Sequence, residues 1–268
     1  MIDVELLVEG AGERAIVMVH GWPDTHRLWD GQVAALKNRY LCVRFTLPGF
    51  ERTASNRAYA LDEVVETIRR MVAQACPGGK ATLLLHDWGC FYGYQFAARH
   101  PELVERVIGV DIGDAGSRRH LAELGVSGRL AVLAYQMWLA LAWWIGGSIG
   151  DGMARWMARV AHCPTDPRNI GSHMGYPYAV RWLGVAGGVR GLKVFQPHCP
   201  MLFFYGQQKY FMFHSRAWAE RLAEQPGNRV IGFPTGHWIM IARPQEFNDA
   251  LLSWLGATER PVADPRRL

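Results

Sequence analysis

Apolar runs alternate with segments of helical periodicity over the first part of the chain. Strands are predicted where such runs end at glycine, proline or a polar residue, at positions 15–19, 40–45, 82–85 and 107–110. Between the second and third runs, Val65, Ile68 and Val72 fall on one face of a predicted helix. Strands that alternate with helices predict right-handed crossovers and a mostly parallel sheet covered on both faces.

The alternation stops between residues 115 and 193, where the sequence reads as helical and is rich in Trp, Met, Gly and Arg. It then resumes with two strands and a final helix, predicted at 201–205, 230–233 and 247–255. We therefore expect a core α/β domain formed by residues 1–114 and 194–268, and a helical domain at 115–193 inserted into it.

The segment 83–90 sets one carboxylate at the tip of the central strand. The apolar run ends just before Asp87, and a helix follows from Gly89. A strand, a one-residue apex and a helix form a nucleophile elbow, in which a strained turn lifts a side chain above the sheet. The backbone N–H of the next residue, Trp88, is then expected to contribute to an oxyanion hole.

Two further motifs accompany the elbow. His20-Gly-Trp22-Pro follows the first strand, and Gly-His237 follows the last one. With these motifs and the insertion, nearly the whole chain resembles the α/β-hydrolase fold, and the elbow His-Asp-Trp-Gly resembles that of the epoxide hydrolase and haloalkane dehalogenase branch. The resemblance implies an aspartate nucleophile, Asp87, and a cap domain at 115–193. It also implies an oxyanion-binding loop at His20 and Trp22.

The chemistry of a carboxylate nucleophile narrows the reaction. A carboxylate is already ionised at pH 7 and needs no base before it attacks. Attack on an ester or amide carbonyl would give an anhydride, whereas attack on a saturated carbon gives an ordinary ester. Asp87 therefore indicates an epoxide or an alkyl halide as substrate, water as co-substrate, and neither a metal nor a cofactor. His237 is the expected base that activates this water.

The third member of the triad departs from the commonest pattern. The usual position follows the strand at 201–205, but the loop there reads Gly-Gln-Gln-Lys209 and has no carboxylate. A histidine that becomes cationic during the reaction needs an anionic partner. We favour Asp111, at the end of the strand after the elbow, which resembles the arrangement in a subset of dehalogenases. Asp114 is its competitor.

The leaving group separates the two reactions. An epoxide leaves as a basic alkoxide that needs a proton, which epoxide hydrolases supply from cap tyrosines, whereas a halide needs only N–H donors. The candidate acids are Tyr176 and Tyr178, late in the insertion, with Tyr135 as an earlier partner. Trp88 is a candidate halide donor, and possible second donors are Trp138, Trp143, Trp144, Trp156 and Trp182.

Further details point in different directions. Trp22 in the loop resembles epoxide hydrolases, whereas Leu85 and the position of the acid resemble dehalogenases. We favour epoxide opening to a diol, with dehalogenation as the alternative. From another class, a catalytically silent or ester-cleaving member of the fold that binds an apolar ligand stays open, since Lys209 occupies the usual acid loop.

Composition limits the partners. The net charge of +5 comes from scattered or paired basic residues without a basic stripe, so nucleic acid is not expected. Five cysteines without CxxC spacing and an N-terminus unlike a signal peptide predict free thiols in the cytoplasm. The Trp- and Met-rich insertion predicts a small hydrophobic substrate bound between it and the sheet.

One uncharged segment, Ala131 to Gly150, is long enough to span a bilayer. Gln136 and several glycines interrupt its apolar character. We therefore expect a buried helix, or one that lines an apolar substrate tunnel, and no membrane span. If this segment is exposed, it is a candidate homodimer surface.

Overall fold

The computed structural model describes Ile2 and residues 4–259. Over these residues one sheet has seven strands: β1 (Leu7–Glu9), β2 (Ala15–Val19), β3 (Leu41–Arg44), β4 (Ala81–His86), β5 (Val104–Val110), β6 (Met201–Gly206) and β7 (Arg229–Phe233). Their order is β1-β3-β2-β4-β5-β6-β7. Strand β1 is antiparallel to β3 and the other pairs are parallel. The predicted fold class is confirmed.

Nine α-helices connect and cover these strands in the described part of the chain. They are α1 (Asp30–Leu36), α2 (Leu61–Ala75), α3 (Trp88–Arg99), α4 (Arg118–Ile145), α5 (Gly147–Val160), α6 (Tyr176–Leu183), α7 (Arg216–Ala223), α8 (Ile239–Ala242) and α9 (Pro244–Thr258). Helices α1, α8 and α9 cover one face of the sheet, and α2 and α3 cover the other.

The central strand β4 shows why the sheet is buried on both faces. Successive side chains of a strand point to opposite faces. Leu83 and Leu85 pack toward α2 and α3, whereas Leu84 packs toward α1 and α9. Because the parallel strands all run the same way, the residues that follow β2, β4, β5 and β7 meet at one edge of the sheet. This edge carries the candidate site.

The helices between β5 and β6 form the inserted segment. Helix α4 packs against α5 and α6, and a non-helical residue, Gly125 (φ 63°), kinks it near its start. The structure thus has helices where the sequence predicts an insertion. The exact division into residues 1–114, 115–193 and 194–268 stays a prediction.

The expectation of a buried helix over Ala131 to Gly150 is wrong. Helix α4 is long and apolar enough to cross a membrane by length and composition, yet only 17% of its most apolar window is buried. One side of the helix lines cavities beside Asp87, while Leu130, Leu141 and Trp144 are exposed on another. The tunnel-lining alternative fits this arrangement, because residues of α4 line both cavities.

Candidate active site

Asp87 occupies a strained turn between β4 and α3. Its backbone angles are φ 51° and ψ −122°, a conformation that costs energy for a residue with a side chain. The turn is crowded: a Cβ on Gly21 would lie 2.5 Å from Asp87 Oδ2 and 2.4 Å from the Trp88 nitrogen. The loop after β2 therefore approaches Asp87 closely only because glycine stands at position 21.

Two backbone N–H groups converge on the Asp87 carboxylate. The N–H of Trp22 donates to Oδ2 at 2.8 Å, and the N–H of Trp88 also donates to this carboxylate. This is the geometry of an oxyanion hole, since the same donors can hold an oxyanion formed at the Asp87 carbonyl. Oδ1 faces away from Trp22 toward His237.

His20 orients this loop from behind. Its Nε2 accepts from the Leu47 N–H at 2.9 Å, and Nδ1 donates to the Gly21 carbonyl at 3.0 Å. Burial lowers the pKa of His20 to about 4, so the ring is neutral at pH 7. His20 thus supports the donor of Trp22 without lining a cavity beside Asp87 itself.

His237 connects Asp87 to Asp111. Nε2 lies 3.6 Å from Asp87 Oδ1, and Nδ1 donates to Asp111 Oδ2. The other oxygen of Asp111 accepts from Lys209 Nζ and, at 2.9 Å, from the Gly206 N–H. Lys209, in the loop after β6, thus pairs with Asp111, which directly follows β5.

Asp114 has different partners. It accepts from the Ser215 N–H at 2.6 Å and from the hydroxyls of Ser215 and Ser117. Of the two candidate acids, the structure therefore brings Asp111 to His237.

The charged side chains of Asp87, Asp111, His237 and Lys209 stabilise one another. Burial by itself lowers the pKa of His237, but the Asp111 and Asp87 carboxylates outweigh burial and raise it to about 9. Burial opposes ionisation of Asp111, yet Lys209 and His237 hold its pKa below the usual value. Against the same burial, His237 holds the pKa of Asp87 low. At pH 7 the site therefore holds two carboxylates and an imidazolium.

A second buried acid lies behind His237, and sequence reasoning missed it. Asp24 accepts from Trp238 Nε1 at 2.9 Å and from the Thr165 hydroxyl at 2.5 Å. Burial raises the pKa of Asp24 to about 6. His86 stands 3.9 Å from it and stacks near His237, with ring centroids 4.4 Å apart. The Asp that follows the His-Gly-Trp-Pro motif was the available signal.

Two cavities open on Asp87. The smaller cavity has a volume of about 330 Å³ and reaches toward α6, where Arg181 and Trp182 line it. The larger cavity has a volume of about 610 Å³ and extends past His237 toward Met157 of α5. Both are mainly apolar. Over the described part of the chain, no group of three or more His, Cys, Asp and Glu side chains is arranged to hold a metal ion.

Tyr135 and Tyr178 line both cavities. Their rings are 6.1 Å apart. Gln136 Nε2 donates to the Tyr135 hydroxyl at 2.9 Å, and the Trp88 side chain hydrogen-bonds with Tyr178. Burial raises the pKa of both tyrosines, so both keep their protons at pH 7.

Tyr176, the other predicted acid of α6, lines neither cavity and so cannot serve this role. It is fully buried, and its ring packs edge-on against Phe50 and Tyr59 at 5.7 and 5.3 Å. Tyr176 and Tyr178 are two residues apart on α6, and such residues project about 200° apart around a helix. Only one of the two can face Asp87.

The tryptophans proposed as second halide donors are mostly elsewhere. Trp138 donates to the Met153 carbonyl at 3.0 Å, and Trp182, which lines the smaller cavity, donates to Gln136 at 2.8 Å. Trp143, Trp144 and Trp156 line neither cavity. Trp22, which sequence reasoning did not consider as a side-chain donor, lines the larger cavity with its buried Nε1 unpartnered.

Comparison with known proteins identifies the family. The model of the alpha/beta hydrolase family matches residues 16–250, which include the elbow, the loop at His20 and His237. The chain belongs to the α/β-hydrolase family. In structure, this α/β-hydrolase superposes on an epoxide hydrolase from Bacillus megaterium with a TM-score of 0.71 and 21% identity, over 94% of this chain and 96% of that one.

Curated relatives match shorter segments of this α/β-hydrolase. It is 28% identical over 114 residues to "Epoxide hydrolase 1" of Caenorhabditis elegans, which covers 41% of this chain and 28% of that protein. It is 31% identical over 109 residues to "Probable oxidoreductase EphD" of Mycobacterium tuberculosis, which covers 40% of this chain and 18% of that protein. It is 30% identical over 116 residues to "Cis-3-alkyl-4-alkyloxetan-2-one decarboxylase" of Shewanella oneidensis, which covers 39% of this chain and 34% of that protein. The match thus spans about a third or less of each relative.

Proposed function

We propose that this α/β-hydrolase opens epoxides to diols through a covalent ester on Asp87. The observation that carries the proposal is the pair of tyrosines, Tyr135 and Tyr178, that share both cavities with Asp87. An alkoxide leaving group needs a proton donor at this position, and a halide does not. The resemblance to epoxide hydrolases supports the same reaction.

In the first half-reaction, Asp87 Oδ1 attacks an oxirane carbon and the bond from that carbon to oxygen breaks. The N–H of Trp22 holds Oδ2 at 2.8 Å and so leaves Oδ1 for the attack. Tyr178 or Tyr135 gives its proton to the released oxygen. Gln136 donates an N–H to Tyr135 and Trp88 hydrogen-bonds with Tyr178, which leaves the tyrosine protons for the substrate.

The ester changes the charge around His237. Asp87 loses its negative charge on alkylation, so one of the two carboxylates that raise the pKa of His237 is gone. His237 can then give its proton to the tyrosinate. This transfer regenerates the tyrosine acid and leaves a neutral imidazole. This imidazole takes a proton from water, the water attacks the ester carbonyl, and Trp22 and Trp88 hold the oxyanion. The diol leaves and Asp87 is restored.

The test is to trap the ester. His237→Gln removes the base of the second half-reaction, so incubation with an epoxide such as styrene oxide is expected to add the mass of the epoxide to the intact protein, on the peptide that contains Asp87. Asp87→Ala should lose both the adduct and the diol. An adduct at another residue, or diol formation by Asp87→Ala, would overturn the proposal.

A haloalkane dehalogenase is the second candidate, and one observation favours it. The buried Nε1 of Trp22 lines the larger cavity without a partner and could donate to a halide. The same trapping experiment with 1-bromohexane separates the two reactions, because dehalogenation releases bromide and forms an alcohol. Turnover of an ester or a β-lactone without a stable Asp87 adduct would instead indicate the ester-cleaving alternative. If none of these compounds is turned over, the catalytically silent alternative is indicated.

A further inference from the structure

A guanidinium in the smaller cavity has no part in the chemistry above. Arg181 lies on α6 three residues after Tyr178, and residues at this spacing lie on the same face of a helix. Both side chains line the smaller cavity together with Asp87. Arg181 is thus about one helical turn from the candidate acid.

Arg181 lacks an anionic partner among the described residues. Its buried Nε has no hydrogen-bond acceptor, and the guanidinium packs over the Trp182 ring at 5.2 Å. Burial lowers the pKa of Arg181, and no carboxylate offsets this effect. The more deeply buried Arg106 differs, since it donates to Thr82 and to the Leu255 carbonyl. A half-buried, unpaired cation is costly unless a ligand supplies the missing charge.

The other residues of the smaller cavity indicate what kind of ligand fits beside Arg181. The walls next to Arg181 are mainly apolar, with Leu121, Val132 and Leu133 from α4. The cavity shares Asp87, Tyr135 and Tyr178 with the larger one, which has room for a second, apolar group. One half-buried guanidinium balances one negative charge, and its planar donors match the two oxygens of a carboxylate.

We propose that Arg181 binds a carboxylate carried on one substituent of the substrate, so that the substrate class is epoxides of carboxylic acids. The oxirane lies at Asp87, the carboxylate-bearing arm occupies the smaller cavity, and the other, apolar arm occupies the larger one. This inference rests on the proposed function, which it deepens.

A binding experiment tests the anion site without any chemistry. Heptanoate and heptan-1-ol have the same chain and differ in charge. Isothermal titration calorimetry is expected to give wild-type protein a dissociation constant for heptanoate about 10- to 100-fold below that for heptan-1-ol. Arg181→Gln should remove this preference. Arg190→Gln is the matched control and should keep the preference, because Arg190 is exposed and lines neither cavity.

A kinetic experiment then joins the anion site to the reaction. Diol formation from cis-4,5-epoxydecanoate and from its methyl ester is followed by mass spectrometry. Wild type should prefer the free acid, and Arg181→Gln should raise KM for the acid about 10- to 100-fold while it leaves the ester almost unchanged. Arg181→Lys should recover part of the preference, since it keeps the charge but loses the planar fork.

The possible outcomes distinguish the carboxylate site at Arg181 from the epoxide chemistry at Asp87. Equal binding of heptanoate and heptan-1-ol by wild type, or an unchanged preference in Arg181→Gln, overturns the carboxylate site even if epoxides are opened. A loss of kcat with acid and ester alike would mean that Arg181 acts on proton transfer from Tyr135, and it also overturns the proposal. A preference that depends on Arg181 without any diol formation supports the anion site and sinks the epoxide chemistry.

Discussion

His237 lies between two carboxylates that the proposed reaction treats differently. Asp111 keeps its charge throughout, whereas Asp87 loses its charge in the ester. Asp87→Asn imitates that loss and is expected to lower the pKa of His237 from about 9 by about 1 to 3. Titration of the ring by NMR measures this change. Lys37→Gln is the control and should leave the value as it is, because Lys37 is exposed after the end of α1 and lines neither cavity.

Asp111 orients His237, and its removal should stop the second half-reaction. We expect Asp111→Asn to lower turnover by about four orders of magnitude, because the amide cannot stabilise an imidazolium and disturbs the Nδ1–H tautomer. The ester on Asp87 should accumulate, as seen by intact mass. Asp114→Asn should cause less than about a tenfold loss, since Asp114 bonds to Ser215 and Ser117 instead. Equal losses in both variants would contradict the assignment of Asp111.

At the scale of elements, helix α6 decides which tyrosine reaches the substrate. Tyr178→Phe is expected to lower kcat/KM for epoxides by about 100-fold or more, because it removes a proton donor. Tyr176→Phe removes an equivalent hydroxyl from the opposite side of the same helix and should change activity by less than about threefold. Steady-state kinetics with one epoxide measures both. A larger loss in Tyr176→Phe would reverse the assignment.

The close approach of the loop after β2 to the elbow gives a second prediction at this scale. Gly21→Ala sets a methyl group 2.5 Å from Asp87 Oδ2, so either the loop or the carboxylate has to move. We expect the hydrogen bond from Trp22 to be lost and turnover to fall about 100-fold or more, as when an oxyanion donor is removed. Gly31→Ala, where a Cβ meets open space, is the control for both activity and thermal stability.

The elements show where sequence reasoning succeeded. The strands with long apolar runs, β2, β4 and β6, were predicted within one or two residues, because full burial demands uniform apolar sequence. Strand β1 was missed, since Leu7–Glu9 has three residues and gives no readable alternation. Helix α4 was recognised as apolar, but its mostly exposed position depends on how few helices cover it, which local sequence does not encode.

The candidate site, too, could be predicted only in part from the sequence. Asp87, His237 and Asp111 stand at strand ends, and strand ends can be read from the sequence. Tyr135 and Tyr178 lie on two different helices of the insertion, α4 and α6, and whether both side chains reach Asp87 depends on how these helices pack. The two-residue spacing of Tyr176 and Tyr178 already implied that only one of them can face the site, but not which one.

At the scale of the whole molecule, the buried Asp24 links stability to pH. The pKa of this carboxyl is about 6 in the folded protein against 3.8 for the free group. The folded state therefore holds this proton more tightly, and the stability that results is complete below pH 3.8 and lost as pH rises through 6. Asp24→Asn should raise the free energy of unfolding at pH 8 by about 1 to 3 kcal/mol, with no gain at pH 3.5.

Denaturant unfolding at the two pH values checks this prediction. Asp249→Asn, at an exposed position of α9, is the control and should behave like the wild type at both. A variant Asp24→Asn that is less stable than wild type at pH 8 would mean that the ionised carboxylate is favoured by Trp238 and Thr165 more than burial disfavours it.

The exposed face of α4 also belongs to this scale. Leu130, Leu141 and Trp144 leave an apolar strip uncovered, and such strips are typical of contact surfaces. We expect a second copy of the chain to cover it, as the sequence suggested for this segment. Light scattering after size exclusion should give the mass of a dimer, and Trp144→Ser with Leu141→Ser should give that of a monomer. A monomeric wild type would contradict this expectation.

The two cavities that meet at Asp87 have a stereochemical consequence. If each arm of an epoxide is held in its own cavity, rotation of the substrate is prevented, and one oxirane carbon always faces Oδ1. The two mirror-image forms of a substrate would then be opened at the same carbon, and inversion at that carbon would lead them to mirror-image diols. A racemic epoxide would in that case give a racemic diol, whereas a single enantiomer would give a single diol with the oxygen from water always on the same carbon.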